Sequence, residues 1–300
     1  MSRSCCAALV LCASLSARAQ ESPVEVPVEE VSAAIEANLR WQSGEVVLGD
    51  GLARLNVTPA WRFLGPAEAQ RVLVDAWHNP RPHDPPLGML FAADAPVLGP
   101  ESWGIVIWFS ADGHVADDDA EKIDYAALLG ELQKATRDGN SQRTKAGYPA
   151  IELVGWAAPP YYDRPSHKLH WARELRFDGE AENTLNYDVR VLGRRGVLVM
   201  KAVASMEQVA AVEARMKDAL AQVEFAPGHR YEEFDSSVDQ VAAYGIAGLV
   251  AGGILAKAGF FKLLLAGLLA GKKFVIVGAL AAFGAVGKWL RGRRSAPGPG

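Results

Sequence analysis

The densest chemistry in the sequence lies between Gly155 and Trp171, where Trp156, Pro159, Pro160, Tyr161, Tyr162, Asp163, His167 and Trp171 crowd together. A histidine near a carboxylate is the minimum equipment for general acid–base work. Aromatic rings on a proline-stiffened loop instead make a recognition platform that loses little entropy on binding. The same rings also serve as a plug pinned onto their own sheet, because aromatic side chains are core residues first. Asn186, Asp188 and Arg190 alternate along one strand and share a face. A solvated face explains them, whereas a buried network would be worth more. Trp156, Tyr161, Tyr162, Asp163, His167, Trp171, Asn186 and Arg190 are therefore the candidate binding surface.

Other constellations carry less. His167 and His170 are three apart at the start of a predicted strand, which sends them to opposite faces and suits no single metal ion. Asp117, Asp118 and Asp119, with Asp112 and Asp124 nearby, lack the alternating ligands and central glycine of a calcium loop. They read as the solvated, dipole-favoured first turn of a helix over 117–137. His78, His83, His114 and His229 read as surface residues near turns. The sequence has no HExxH, Gly-x-Ser-x-Gly, Walker or dinucleotide pattern. No catalytic residue, metal ligand or cofactor is assigned.

The elements that must position these residues follow from periodicity. Val31, Ile35 and Leu39 give one face of a short helix, with the globular part beginning near Gly44. Glu45–Leu48 and Leu52–Val57 flank the turn Gly49-Asp50-Gly51 as two strands. A helix with Pro66 in its first turn carries Ala69, Val72, Leu73, Ala76 and Trp77 on its apolar face. The unbroken apolar run Trp103–Phe109 predicts a strand buried on both sides. Ile151–Trp156 is strand-like. Leu169–Phe177, Leu185–Leu192 and Gly196–Ala204 predict an antiparallel meander, and Met206–Val223 a final helix. The expected fold class is α+β, an antiparallel sheet covered by helices, followed by a hydrophobic helical C-terminal membrane segment.

The ends of the chain differ from its middle. Met1–Gln20 has a basic start, the apolar run Ala7–Leu15 and Ala17-Arg18-Ala19, which predicts export with cleavage after Ala19. Cys5, Cys6 and Cys12 all lie in that leader, so the mature chain has no thiol for a disulfide, metal site or nucleophile. Of the 31 basic residues, two are in the leader and eight lie beyond Val241; the other 21 face all 35 acidic ones, a net of −14. An acidic body excludes nucleic acid as a partner.

From Val241 to Leu290 no acidic residue interrupts a run of Ala, Gly, Leu and Val. That composition predicts insertion in a lipid bilayer, with Lys288, Arg291, Arg293 and Arg294 holding a single crossing's end in the cytoplasm. A two-helix hairpin is the other layout. Gly248 and Gly252, and Gly267 and Gly271, have the spacing that lets membrane helices approach closely and self-associate. The expected organisation is signal peptide 1–19, stalk and short helix 20–43, extracytoplasmic α+β domain 44–236, and membrane-anchoring tail 237–300.

Read together, several stretches resemble an uncharacterised bacterial family of predicted membrane-anchored proteins, domain of unknown function 2167. They include Trp77-His78-Asn79-Pro80, Asp117-Asp118-Asp119-Ala120, Gly155-Trp156-Ala157, Pro160-Tyr161-Tyr162-Asp163, His167-Lys168-Leu169-His170-Trp171-Ala172 and Leu185 to Arg194. The resemblance implies a membrane-anchored envelope protein and no particular activity. The function expected is a periplasmic interaction or binding module, with the bilayer, other envelope proteins or itself as partners. The alternatives are an envelope-acting hydrolase or transferase near Asp163 and His167, and a pore or transport accessory that oligomerises through the tail.

Overall fold

The computed structural model describes residues 27–79, 81–99 and 101–252. Eleven strands and five α-helices are present among them. Eight strands make one antiparallel sheet: β1 (Trp41–Gln42), β4 (Trp61–Leu64), β5 (Gly88–Ala92), β6 (Ile105–Ser110), β10 (Val197–Ser205), β9 (Thr184–Leu192), β8 (Lys168–Phe177) and β7 (Ile151–Asp163), in that spatial order. The expected meander is β8–β10, and β10 returns to pair with β6. A smaller sheet holds β2 (Gly44–Leu48), β3 (Ala53–Val57) and β11 (Val223–Phe225), with β3 in the middle.

Both faces of the large sheet are covered, although the alternation along its central strands calls for cover on one face alone. Leu185, Tyr187, Val189 and Val191 of β9 point to one side. There they meet the small sheet and the buried Val212, Met216 and Leu220 of α4 (Val209–Ala221). On the opposite side α3 (Tyr125–Lys145) and α5 (Ile246–Ala251) cover Leu169 and Trp171. At the far end of that side, Val72 and Leu73 just beyond α2 (Pro66–Arg71) cover Leu64, Met89 and Val106, and Ile35 of α1 (Val28–Glu36) packs against the same cluster. The apolar run at β6 is thus a strand buried on both sides: Ile105 and Ile107 enter one core, Val106 the other.

Four differences from the sequence reading have local causes. The helix expected over 117–137 begins at Tyr125 instead, because the Asp124 side chain accepts from the backbone N–H groups of Ala126 and Ala127. The segment after Pro66 is α-helical only to Arg71 and continues as a π-helical turn, Val72–Ala76. Helix α1 belongs to the body rather than to a stalk, since Glu36 accepts from Val97 N–H and pairs with Arg62 at 2.7 Å. Gly248 and Gly252 lie in and after α5, a six-residue helix packed on the body. There Gly248 leaves room for Tyr244, and Gly252 ends the helix at φ +83°.

Among the described residues no helix is long and apolar enough to cross a membrane. The expected leader, the apolar runs beyond Gly252, and Gly267 and Gly271 lie outside those residues.

Candidate functional site

The stretch expected as a loop from Gly155 is the second half of β7, thirteen residues long, paired with β8 through three register shifts. The prolines do not break it because β7 is the last strand of its sheet, where a missing N–H leaves no ladder partner unmet. The hairpin turns through Arg164–Ser166 and closes on His167, held in the left-handed region at φ 50°. Asp163 accepts a hydrogen bond from the Ser166 hydroxyl and so braces the turn.

Tyr162 and Tyr161 point to opposite sides. Tyr162 donates its hydroxyl to Asp117 Oδ2 at 2.8 Å, and the Tyr162 hydroxyl oxygen lies 3.2 Å from His167 Nδ1. Arg164 reaches Asp117 Oδ2 at 3.1 Å and Glu121 at 3.7 Å. His167 Nε2 lies 3.4 Å from Glu232. Burial, and then the bond to Asp117, push the Tyr162 phenol well above its usual range, so it stays protonated as a donor. Tyr161 is 64% exposed. It stands at a cleft of about 220 Å³ lined also by Glu121, Tyr125, Pro160, Tyr162 and Arg164. Trp156 fixes the cleft's far wall by donating its indole N–H to Tyr125 O at 3.2 Å.

Behind the hairpin four rings are stacked in series. His167 and Tyr231 have centroids 4.0 Å apart, Tyr231 and His114 4.3 Å, His114 and Phe234 4.1 Å. His114 is buried, contrary to its reading as a surface residue; burial holds its imidazole below the ordinary histidine range. Tyr231, pushed up to about 12 by burial and then by Asp117, donates to Val115 O at 3.0 Å.

Tyr231 and Phe234 belong to an arm, residues 226–252, that crosses the end of the sheet, and His114 and His167 stack against them from the body. Asp239 is clasped by Arg194 and Arg195, Tyr244 donates to Asp112 at 2.6 Å, and Val241 bridges to His114. Asp119 accepts from the N–H groups of Ile246 and Ala247 at the start of α5. A Cβ on Gly245 would lie 2.6 Å from Asp119 Oδ1, so glycine is what permits that cap. The boundary expected at 236/237 therefore falls within packed structure.

Asn186, Asp188 and Arg190 do not form a solvated face. Asp188 is fully buried and meets three cations: Arg173 at 2.9 Å, Arg190 at 3.2 Å and Lys201 at 3.5 Å. Burial alone would raise the Asp188 carboxyl; Lys201, Arg190 and Arg173 more than reverse this and hold it well below the usual carboxylate range. Arg190 also lies 4.8 Å above the Trp171 ring. The face is enclosed because α3 and α5 pack over the strands that carry it.

The eight predicted site residues thus divide. Trp156, Tyr161, Tyr162, Asp163 and His167 belong to the hairpin, while Trp171, Asn186 and Arg190 lie along the sheet face. Asp163, His167 and Arg190 have separate partners and do not converge on a shared reacting point. Sequence reasoning missed Asp117, His114, Tyr231, Arg173 and Lys201. Arg173 left a signal: it interrupts the apolar series Leu169, Trp171, Leu175 on one strand face.

An α+β protein with a broad antiparallel sheet covered on both faces, and a braced hairpin at one end, is the class that these features define. The chain belongs to the family described as Protein of unknown function (DUF2167), whose profile matches residues 40–284. No curated protein matches the sequence. Among solved structures, the chain is similar to LpqN, involved in cell envelope biogenesis of Mycobacterium tuberculosis, with 17% identity, a TM-score of 0.33, and 66% of this chain and 97% of that one covered. It is similar to the PsbP protein of Synechocystis sp. PCC 6803 with 8% identity and a TM-score of 0.32, covering 62% and 92%. The Saccharomyces cerevisiae Ran-binding protein Mog1p gives 9% identity and a TM-score of 0.31, covering 66% and 100%. At such TM-scores these likenesses carry no inference about this chain.

Proposed function

We propose that the chain is an exported, membrane-held binding module whose ligand site is the cleft at the tip of the β7–β8 hairpin. One observation carries this reading: Tyr161 is exposed at the mouth of a cleft whose other walls are fastened. Tyr162 is held by Asp117, Trp156 by Tyr125, and the turn by Asp163 and Ser166. A rigid site with one free aromatic loses little conformational entropy on binding. Glu121 and Arg164 at the rim supply both signs of charge for orientation.

Attachment to the bilayer rests on the acid-free apolar run and its basic end. The leader supports export, and a periplasmic location of the body follows from the two together. The test is capture of partners by the intact protein from detergent-solubilised membranes, comparing wild type with Tyr161→Ala and Arg164→Ala. Loss of a specific partner from both variants, with melting temperatures unchanged, is the expected result. Identical captures from all three proteins would place the binding surface elsewhere.

A further inference from the structure

The cluster around Asp188 is unbalanced. Arg173, Arg190 and Lys201 each lie within 4 Å of that one carboxylate and of no other among the described residues. Three cations against one anion leave two positive charges uncompensated on a largely enclosed surface. Buried charge is normally paired, because desolvation of an unpaired ion costs several kcal/mol. The sheet register fixes the arrangement: Asp188 faces Lys201 on β10 and Trp171 on β8, and Arg173 faces Asn186. Val106 of β6 lies beside Lys201. The cluster therefore sits between the apolar patch under α3 and α5 and the patch next to α1 and α2.

Donors there are also idle. The Nε of Arg173 and the indole N–H of Trp171 are buried with no acceptor among the described residues. Trp171 itself is 1% exposed. Buried donors without acceptors are rare, because each forfeits its hydrogen bonds to water with nothing in return. Yet the site is not sealed: the side chains of Arg173 and Lys201 remain 23% and 32% exposed. Outside the described residues the only acidic side chains are Glu21 and Glu25, and residues 253–300 contain none.

We propose that Arg173, Arg190 and Lys201, oriented by Asp188, form a binding site for a phosphate-sized dianion, either a free phosphate or the phosphomonoester headgroup of a lipid. The charge matches, since a phosphomonoester carries about −1.5 to −2 at neutral pH. The donors match too. Guanidinium forks pair with phosphate oxygens in two parallel bonds, and a lysine adds a point charge. Asp188 holds Arg173 and Arg190 by one nitrogen each, Nη2 in both cases, and Arg190 Nη1 also donates to Val189 O at 3.0 Å, which leaves the fork of Arg173 and the Lys201 ammonium as the main donors. The site is separate from the hairpin cleft and stands or falls independently of it.

The test uses the full chain in a neutral detergent at pH 7, with thermal unfolding followed in sodium phosphate and in sodium chloride of equal ionic strength. Saturating phosphate, about 100 times its Kd, raises the melting temperature by roughly 5–11 °C over chloride. Lys201→Met and Arg173→Gln each remove one surplus charge. Both variants lose most of the phosphate-specific rise, read for each as the difference between its own melting temperatures in phosphate and in chloride. Short-chain phosphatidic acid, compared with phosphatidylcholine, separates the two sources. Tighter binding than inorganic phosphate assigns a lipid headgroup, and equal or weaker binding assigns a free phosphate. Phosphate acting no differently from chloride, or variants responding like wild type, overturns the site.

Discussion

Replacing Tyr162 by Phe removes one hydroxyl and nothing else, and the structure says what that hydroxyl does. It donates at 2.8 Å to Asp117, whose side chain is 17% exposed, so the bond is made largely out of water. A hydrogen bond to a charged acceptor contributes about 1.5–3 kcal/mol, and when the hydroxyl is gone Asp117 keeps its half-exposed Arg164 and a longer, 4.0 Å approach from His167 Nδ1. For a folded body of this size each kcal/mol shifts the melting temperature by roughly 2–4 °C. Tyr162→Phe is therefore expected to melt about 3–12 °C lower. Tyr162→Ala also empties the ring's place against the α3–α5 cluster, for a total of about 3–5 kcal/mol. Tyr161→Ala, by contrast, is expected to change stability by less than about 0.5 kcal/mol, because that ring is mostly in solvent. Circular dichroism melts of the three variants beside wild type make the comparison. A neutral Tyr162→Phe together with a damaging Tyr161→Ala would refute the assignment of one tyrosine to bracing and the other to recognition.

Four further outcomes are expected. Asp188→Asn leaves three cations without their buried counter-charge and destabilises by about 3–5 kcal/mol, read as a lower urea midpoint. Stability falls in two stages on acidification. His114 and His170, both held below 6.5 chiefly by burial, bind protons first in the unfolded chain, so stability drops as pH falls from 6.5 toward their folded values. Asp188 and Asp239, held below 3.8, add a second loss under that pH; urea titrations at pH 7.5, 5.5 and 3.5 reveal both, and a flat profile from 7.5 to 5.5 would contradict the first. N-terminal sequencing of the mature protein is expected to begin at Gln20, and an intact Met1 would remove the leader. A reporter fused after Gly300 is expected to be dark as alkaline phosphatase and bright as green fluorescence; the reverse establishes a hairpin in place of a single crossing.

The amino-acid sequence determined the parts of the fold that depend on neighbours along the chain. Alternation in Leu185–Leu192 specified β9 and the face it buries, and the unbroken run at Ile105–Ile107 specified a strand with two buried sides. Helix α4 followed from apolar residues at three- and four-residue steps, and a 3-10 turn, Met206–Gln208, in which Gln208 accepts from Ser205 N–H, leads into it. Short strands carried weaker signals. Trp61–Leu64 and Gly88–Ala92 are buried on both faces or too brief to show alternation, so periodicity could not register them.

What belongs to the site was decided by contacts far apart in sequence. Asp117 looked like one of several acids opening a helix, yet it receives Tyr162 from 45 residues away. The prolines at 159 and 160 looked like a loop and are strand residues, because position at the sheet edge removes the penalty that local chemistry assigns to them. Asp188 carried the alternation of a solvated face and is fully buried, because α3 and α5 close over strands whose own pattern has no means of recording that cover. A local pattern encodes which side of a strand a residue takes. Whether that side is wet depends on what the rest of the chain lays across it.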